Sequence, residues 1–342
     1  MTVASEAERR RLHETFAALC AIASPSGQER ACAQVVSSQL QALGVSVSED
    51  GAGEAVGGDC GNLLARIPGS GDRWLLFCAH LDTVPVAAPP QPVVRDGAWQ
   101  NANEAILGAD NKVAVAAMLV LAQRLAAAPA EVGVELLFTV GEELSLAGAK
   151  EFETGVLRSG LGYVFDSASP VGGVVVASPT HYRVAAELRG VAAHAGVRPE
   201  NGRSAILAAA RAIANMRLGR IEARAEQLAS ELVECLTDAA NDPECECDLD
   251  VTLERQFEGY RVRPSSVEVA LAFDALRDCG HDPAPTTSGG GSDANALRSR
   301  GLAVLNLANG TERNHEPGER VSTSALEAIL DVAFALVERA GR

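Results

Sequence analysis

The chain has 342 residues, 47% of them apolar and 22% charged, a balance that supports two domains and a large core and excludes a disordered protein. Its 45 acidic against 29 basic side chains leave a formal charge of −16, which argues against a nucleic acid or an anionic membrane as partner and is compatible with binding cations. The N-terminal stretch through Arg11 lacks the apolar core of a signal peptide, no later segment has the length and apolarity of a bilayer span, and the 8 cysteines have no framework spacing; a cytoplasmic location is therefore expected.

Helical spacing predicts helices over 6–20 and 29–43, the second through Ala31, Val35, Val36, Leu40 and Leu43 with Gly44 as its stop. Ser24-Pro-Ser-Gly27 separates them. Short strands are expected at 45–48 and 62–67, followed by a buried strand from Trp74 to Ala79 that ends in His80-Leu-Asp82. Positions i and i+2 of a strand face the same way, so His80 can offer an imidazole to a metal while Asp82 holds the ring through its other nitrogen. Taken alone, the pair fits equally a core histidine and a turn-capping aspartate. From 86 to 100 the sequence is polar and proline-rich, and reads as a surface flap rather than a core element.

Gly108-Ala-Asp110-Asn-Lys112 leads into Val113–Ala122, apolar nearly all round and hence a buried helix; in isolation Asp110 is its N-cap. A further buried strand, Val132–Val140, stops at Gly141-Glu142-Glu143. Adjacent glutamates project in different directions, so one can ligate a cation while the other stays free to move a proton, although a solvated acidic turn is the commoner fate of such a pair. The strand Leu161–Phe165 stops at Asp166, and Ala303–Leu307 is followed by His315. If these strand ends converge, two imidazoles and three carboxylates supply the N/O chemistry that suits zinc, and a carboxylate shared from Asp110 fits between two ions. Cys245-Glu-Cys247 has nothing nearby to complete a four-ligand set and reads as a turn or strand with incidental thiols.

Together, His80-x-Asp82, Gly-x-Asp110-x-Lys112, Gly-Glu142-Glu143, Asp166, Ser288-Gly-Gly-Gly-Ser-Asp-Ala-Asn295 and the final His315 resemble the di-zinc metallopeptidase family that includes peptidase T, aminoacylase, acetylornithine deacetylase and succinyl-diaminopimelate desuccinylase, and the peptidase T-like, tripeptidase branch above all. The resemblance implies an α/β, zinc-exopeptidase-like catalytic domain with helices on both faces of a mixed sheet, plus a small inserted α+β lid or dimerisation domain. It implies that His80 and Asp166 hold one zinc, Glu143 and His315 the other, and Asp110 both. Asp82 would orient His80, and Glu142 would be the general base. Co2+ or Mn2+ could replace Zn2+. A cis peptide is implied at Asp110-Asn111.

On the same resemblance, residues 1–177 and 262–342 form the catalytic domain and 178–261 the lid. Arg189-Gly-Val-Ala-Ala-His194-Ala-Gly-Val matches the family segment whose histidine reaches the active site of the partner in a homodimer; by itself His194 reads as a turn or surface imidazole. The chain then departs from the pattern. A helix at 200–216 passes through Leu218-Gly-Arg-Ile221 directly into a second helix from Glu222, where relatives carry two more strands. The family's carbonyl-binding Asn and carboxylate-binding Arg have no convincing substitute, so the lid reads as shortened. Its last strand is expected at 250–257; helices at 265–278 and 322–340 belong to the catalytic domain, and a short helix is capped by Ser292.

The expected activity is metal-dependent hydrolysis of amide bonds in small peptides. The alternatives are a deacylase of N-acyl amino acids and a zinc-binding protein with little or no turnover. No serine sits in a nucleophile elbow, and Cys78 lies inside a strand, which disfavours serine and cysteine hydrolases.

Overall fold

The computed structural model describes residues 3–216 and 224–342. The junction expected at 218–221 and the first residues of the second lid helix lie outside this range, as do residues 1–2. The chain divides into two compact units, one running to Ser178 and resuming at Gly259, the other comprising Pro179–Glu258.

The first unit is α/β. Among the described residues its sheet has nine strands, in the order Val47–Glu49, Leu63–Ile67, Gly133–Thr139, Trp74–His80, Leu161–Ser167, Ala303–Ala308, Gly173–Ser178 and Tyr260–Arg261, with Ala284–Thr287 alongside Gly173–Ser178. Trp74–His80 runs parallel to both of its neighbours, whereas the pairs toward the edges are mostly antiparallel, so the sheet is mixed. Its central strands are apolar on both faces because helices cover both. Leu75, Phe77 and Ala79 join the larger core with the helices Glu6–Cys20, Arg30–Ala42, Ala109–Ala127, Val267–Asp278 and Thr323–Gly341. Leu76 and Cys78 turn the other way, onto Phe152, Ala294 and Leu297. Ala109–Ala127 is buried on nearly every side, as its unbroken apolar composition requires.

The flap expected at 86–100 does lie at the surface, with none of its residues buried, but it is regular rather than irregular. Pro92–Arg95 and Ala98–Asn101 form a hairpin, which pairs through Arg320–Ser322 with Thr311–Glu312 in a separate four-stranded antiparallel sheet. The signal was Asp96-Gly97, both at positive φ (49° and 74°): a two-residue Asp-Gly loop whose twist matches that of the flanking strands. The Ser5 hydroxyl and Glu8 close a capping box at the start of Glu6–Cys20.

Glu8 also receives Arg124 Nε and Nη2, each at 2.6 Å, and this guanidinium holds its carboxyl down at about 2. A carboxyl lowered on folding contributes stability above its unfolded value and loses it as the pH falls through the folded one. Glu8→Gln should therefore cost about 1 kcal/mol in urea unfolding at pH 7, this being a partly exposed pair. The deficit should shrink as the pH falls from 4.5 toward 2. An equal deficit at pH 7 and pH 3 would contradict this account.

The second unit is α+β. Its strands His181–Arg189 and Asp248–Phe257 pair antiparallel, and Ala212, Leu236 and Ala239 of the helices Ala205–Asn215 and Ala225–Asn241 form a small core against them. The first of these helices starts later than the expected 200 because Pro199–Asn201 forms a separate 3-10 turn and Ser204 is the N-cap, its hydroxyl accepting from Leu207 N. No helix among the described residues is long and apolar enough to cross a membrane.

Candidate metal centre

Strand parity explains why two of the expected ligands meet. His80 continues the side of its strand that carries Leu76 and Cys78, and Asp166 continues the side that carries Val164. The strands are parallel with Cys78 opposite Val164, so the same register two residues on brings His80 to Asp166 at the C-terminal edge of the sheet. His80 Nε2 lies 3.5 Å from Asp166 Oδ1.

Asp110 comes from a different direction, at the start of the buried helix just after Gly108, which adopts φ 74°. The Asp110-Asn111 peptide is cis. Asp110 Oδ1 is 3.3 Å from His80 Nε2, and Asp110 Oδ2 is 3.3 Å from His315 Nε2. His315 Nε2 in turn lies 2.8 Å from Glu143 Oε1. One carboxylate thus faces two imidazoles, each accompanied by a second carboxylate. Glu142 stands on the His80 side, where its carboxylate, His80 and Asp166 offer ligand atoms within 4.8 Å of one another; His80, Asp110 and Glu143 do the same. Asp110 Oδ1 is buried and takes part in no hydrogen bond. An anionic oxygen held dry between nitrogen and oxygen donors has the chemistry of a cation ligand, so the residues present fit a pair of divalent ions.

The backbone behind each carboxylate is gripped by a side chain from elsewhere in the unit. Asp82 Oδ1 accepts from Glu142 N at 3.0 Å and Asp82 Oδ2 from Glu143 N at 3.1 Å, while Ser26 Oγ donates to the same carboxylate at 2.6 Å. Glu29 accepts from Gly141 N at 3.0 Å. Asn306 both accepts from Asp166 N (2.9 Å) and donates to Asp166 O (3.1 Å). Glu319 accepts from Gly108 N and Asp110 N, and Asn314 Nδ2 donates to Asp110 Oδ2. His80 Nδ1 is 3.0 Å from the Asp82 backbone oxygen and 3.4 Å from its carboxylate, so Asp82 stands against the ring with both groups while its carboxylate also fixes the two glutamates.

Electrostatics follow from crowding. Burial opposes a charged His80, but Asp110, Asp166 and Asp82 outweigh it and hold the imidazole well above its usual range. His315 is raised to about 10 by Asp110 and Glu143. Burial, with the charge of Asp166, pushes Glu142 well above the carboxylate range, and burial with Asp110 does the same to Asp166. Asp110 itself is held low: burial works against its charge, but His315 and His80 favour it more.

His194 belongs to the second unit, exposed in the loop after His181–Arg189, where its Nδ1 accepts from Gly196 N at 3.1 Å. Sequence reasoning gave no role to Glu29, Asn306, Asn314, Glu319 or Asp293. Asp293 is fully buried, accepts from the Thr139 hydroxyl and the Cys78 thiol, and is raised by burial to about 6. Only the placing of Asp293 within Ser288–Asn295, and of Asn314 and Glu319 close to His315, could have drawn attention to them.

A model of the peptidase family M20/M25/M40 matches residues 76–339. The chain is 32% identical to the uncharacterized protein YqjE of Bacillus subtilis over 367 aligned positions, covering 97% of this chain and 99% of the relative. The structure of aminopeptidase PepT from Bacillus cereus superposes with TM-score 0.85 at 30% identity, covering 100% of both chains. A tripeptidase from Staphylococcus aureus gives TM-score 0.88 at 28% identity, covering 98% of this chain and 99% of that one.

Proposed function

The chain belongs to the M20/M25/M40 peptidase family, and from that premise we propose that it is a two-zinc hydrolase of amide bonds in small peptides, with Glu142 as its general base. The observation that carries this reading is Asp110, whose two oxygens face His80 and His315 separately. His80 and Asp166 would hold one ion, His315 and Glu143 the other, and Asp110 both. When bound, the ions would polarise the scissile carbonyl and make a water more acidic. Zn2+ suits the donor set, with Co2+ or Mn2+ as substitutes.

The chain's own residues divide the remaining work. Glu142 takes a proton from the attacking water and returns it to the departing amine. Asp82 holds the N–H groups of Glu142 and Glu143 on its two oxygens, so base and ligand keep a fixed separation. The PepT aminopeptidase and tripeptidase similarities favour peptides as substrates. Metal analysis together with a panel of dipeptides, tripeptides and N-acyl amino acids tests the proposal: two ions and fastest cleavage of tripeptides support it, and faster cleavage of the acyl amino acids would move the assignment to a deacylase. All 8 cysteines are free thiols, which supports a cytoplasmic setting.

A second reading, a zinc-binding protein with little turnover, is favoured by chain length. The alignment with YqjE runs over 367 positions, more than the 342 residues here, so it opens gaps in this chain. Residues 178–261 would be the shortened lid. Two ions without hydrolysis of any of the panel would select this reading.

We further propose that the second unit pairs two copies into a homodimer, with His194 acting across it. Ile206 and Ile213 on Ala205–Asn215 are 83% and 63% exposed, with Ala210 between them on the same helix face. Ile206→Asp together with Ile213→Asp should convert a dimer to a monomer in light scattering and lower kcat, whereas His194→Ala should lower kcat with the dimer intact. A wild-type monomer with full activity would defeat both expectations.

A further inference from the structure

Asp110 and His315 must meet although they are far apart in the sequence, and the segment that brings His315 is a loop rather than a strand. His315 has φ 67° and its side chain is 48% exposed, in contrast to His80, whose side chain is 1% exposed at the end of a packed strand. The loop folds on itself: Glu316 N donates to Arg313 O at 3.2 Å and Glu319 N to Glu316 O at 3.0 Å. Two side chains flanking His315 then reach the Asp110 segment. Asn314 Nδ2 donates to Asp110 Oδ2 at 2.8 Å, and Glu319 accepts from Gly108 N at 2.7 Å and from Asp110 N at 2.9 Å.

Glu319 is 1% exposed. Burying a carboxylate is costly, and a helix start can satisfy its free N–H groups with a hydroxyl or water instead. A carboxylate has two oxygens, however, and here each holds one amide. That fixes the N–H groups of the two residues flanking Ala109 relative to the loop that carries His315.

We propose that Glu319 is a positioning residue that, with Asn314, pins the His315 loop onto the Asp110 segment and so sets the affinity of the ion shared by Asp110, His315 and Glu143. The role rests on the two-ion reading above. The ion at His80 and Asp166 depends on it less, since those ligands are fixed by paired strands and by Asn306. Glutamine is a sharp probe: its single oxygen can accept one amide, while its NH2 would face the other donor.

The test uses the full-length, zinc-loaded protein in competition with a chromophoric chelator, alongside thermal unfolding of the metal-free form. Wild type should yield two ions per chain. Glu319→Gln should weaken one of them by roughly 10–100-fold, the range for groups that orient metal ligands, and leave the other unchanged. The ion that remains tight should match the single one retained by His315→Ala. Glu312→Gln, on the same stretch but paired on the surface with Arg320, should alter neither. Asn314→Ala removes the other pin without setting a buried NH2 against an amide N–H and should weaken the same ion, so the proposal stays testable if Glu319→Gln does not fold.

Equal release of both ions in these variants, or a fall in metal-free melting temperature with both affinities unchanged, would overturn the role of Glu319 while the two-ion reading stands. Fewer than two ions in wild type would overturn that reading itself.

Discussion

Glu142→Gln is expected to lower kcat for a tripeptide by about 10²–10⁴-fold while both ions stay bound, the range for losing a positioned general base. The amide keeps the size of the side chain, and Glu142 N still donates to Asp82, so Glu143 is not displaced. Glu143→Gln should instead lose one ion, which separates base from ligand within a single dipeptide. A stability signature accompanies the loss. Burial and the charge of Asp166 raise the Glu142 carboxyl in the metal-free protein, so ionising it costs more folded than unfolded. At pH 7 the carboxylate therefore destabilises that state, and the penalty fades as the pH falls toward the ordinary carboxyl value. Metal-free Glu142→Gln should melt higher than wild type at pH 7 and level with it near pH 4, the usual trade of stability for function at a catalytic group. Near-normal turnover would remove Glu142 as the base.

The parts of this centre legible in the sequence are those set by local periodicity. His80 and Asp166 end apolar strands whose alternation fixes the direction of each side chain, and Glu142-Glu143 follows a third. Asp110 could be seen only in company with the other ligands, since an aspartate before a buried helix reads by itself as an N-cap. What could not be read are the groups that act on backbone amides: Glu29, Asn306 and Glu319 each hold an N–H far away in sequence, and nothing in their own neighbours signals it. Spacing and the family resemblance place Asp82 beside the His80 ring, 3.4 Å from its Nδ1; that its two oxygens also accept from the glutamate turn depends on the packing of two strand ends. The hairpin at Asp96-Gly97 is a different case. Its signal was local and was outweighed by the prolines before it.

Asp110→Asn should have the widest effect on metal binding. Catalytic zinc usually keeps three protein ligands. Without the shared carboxylate, His80 with Asp166 and His315 with Glu143 supply two each. Asparagine keeps one neutral oxygen, which can serve one side at reduced charge. Its NH2 must then face the other imidazole, or Asn314 Nδ2, itself a donor. Both affinities should thus fall, at least about 100-fold on the weaker side, against loss of one ion in Glu143→Gln or His315→Ala. Metal content after gel filtration should drop below one ion per chain. The rise in melting temperature that zinc gives wild type, worth about 2.7 kcal/mol per site at a hundredfold excess over Kd, should largely vanish. Because Asp110 is held ionised between two imidazoles even without metal, the substitution should also lower the metal-free melting temperature at pH 7, opposite in sign to Glu142→Gln. Two tightly held ions in Asp110→Asn would show that the centre is two separate sites rather than one built around a common carboxylate.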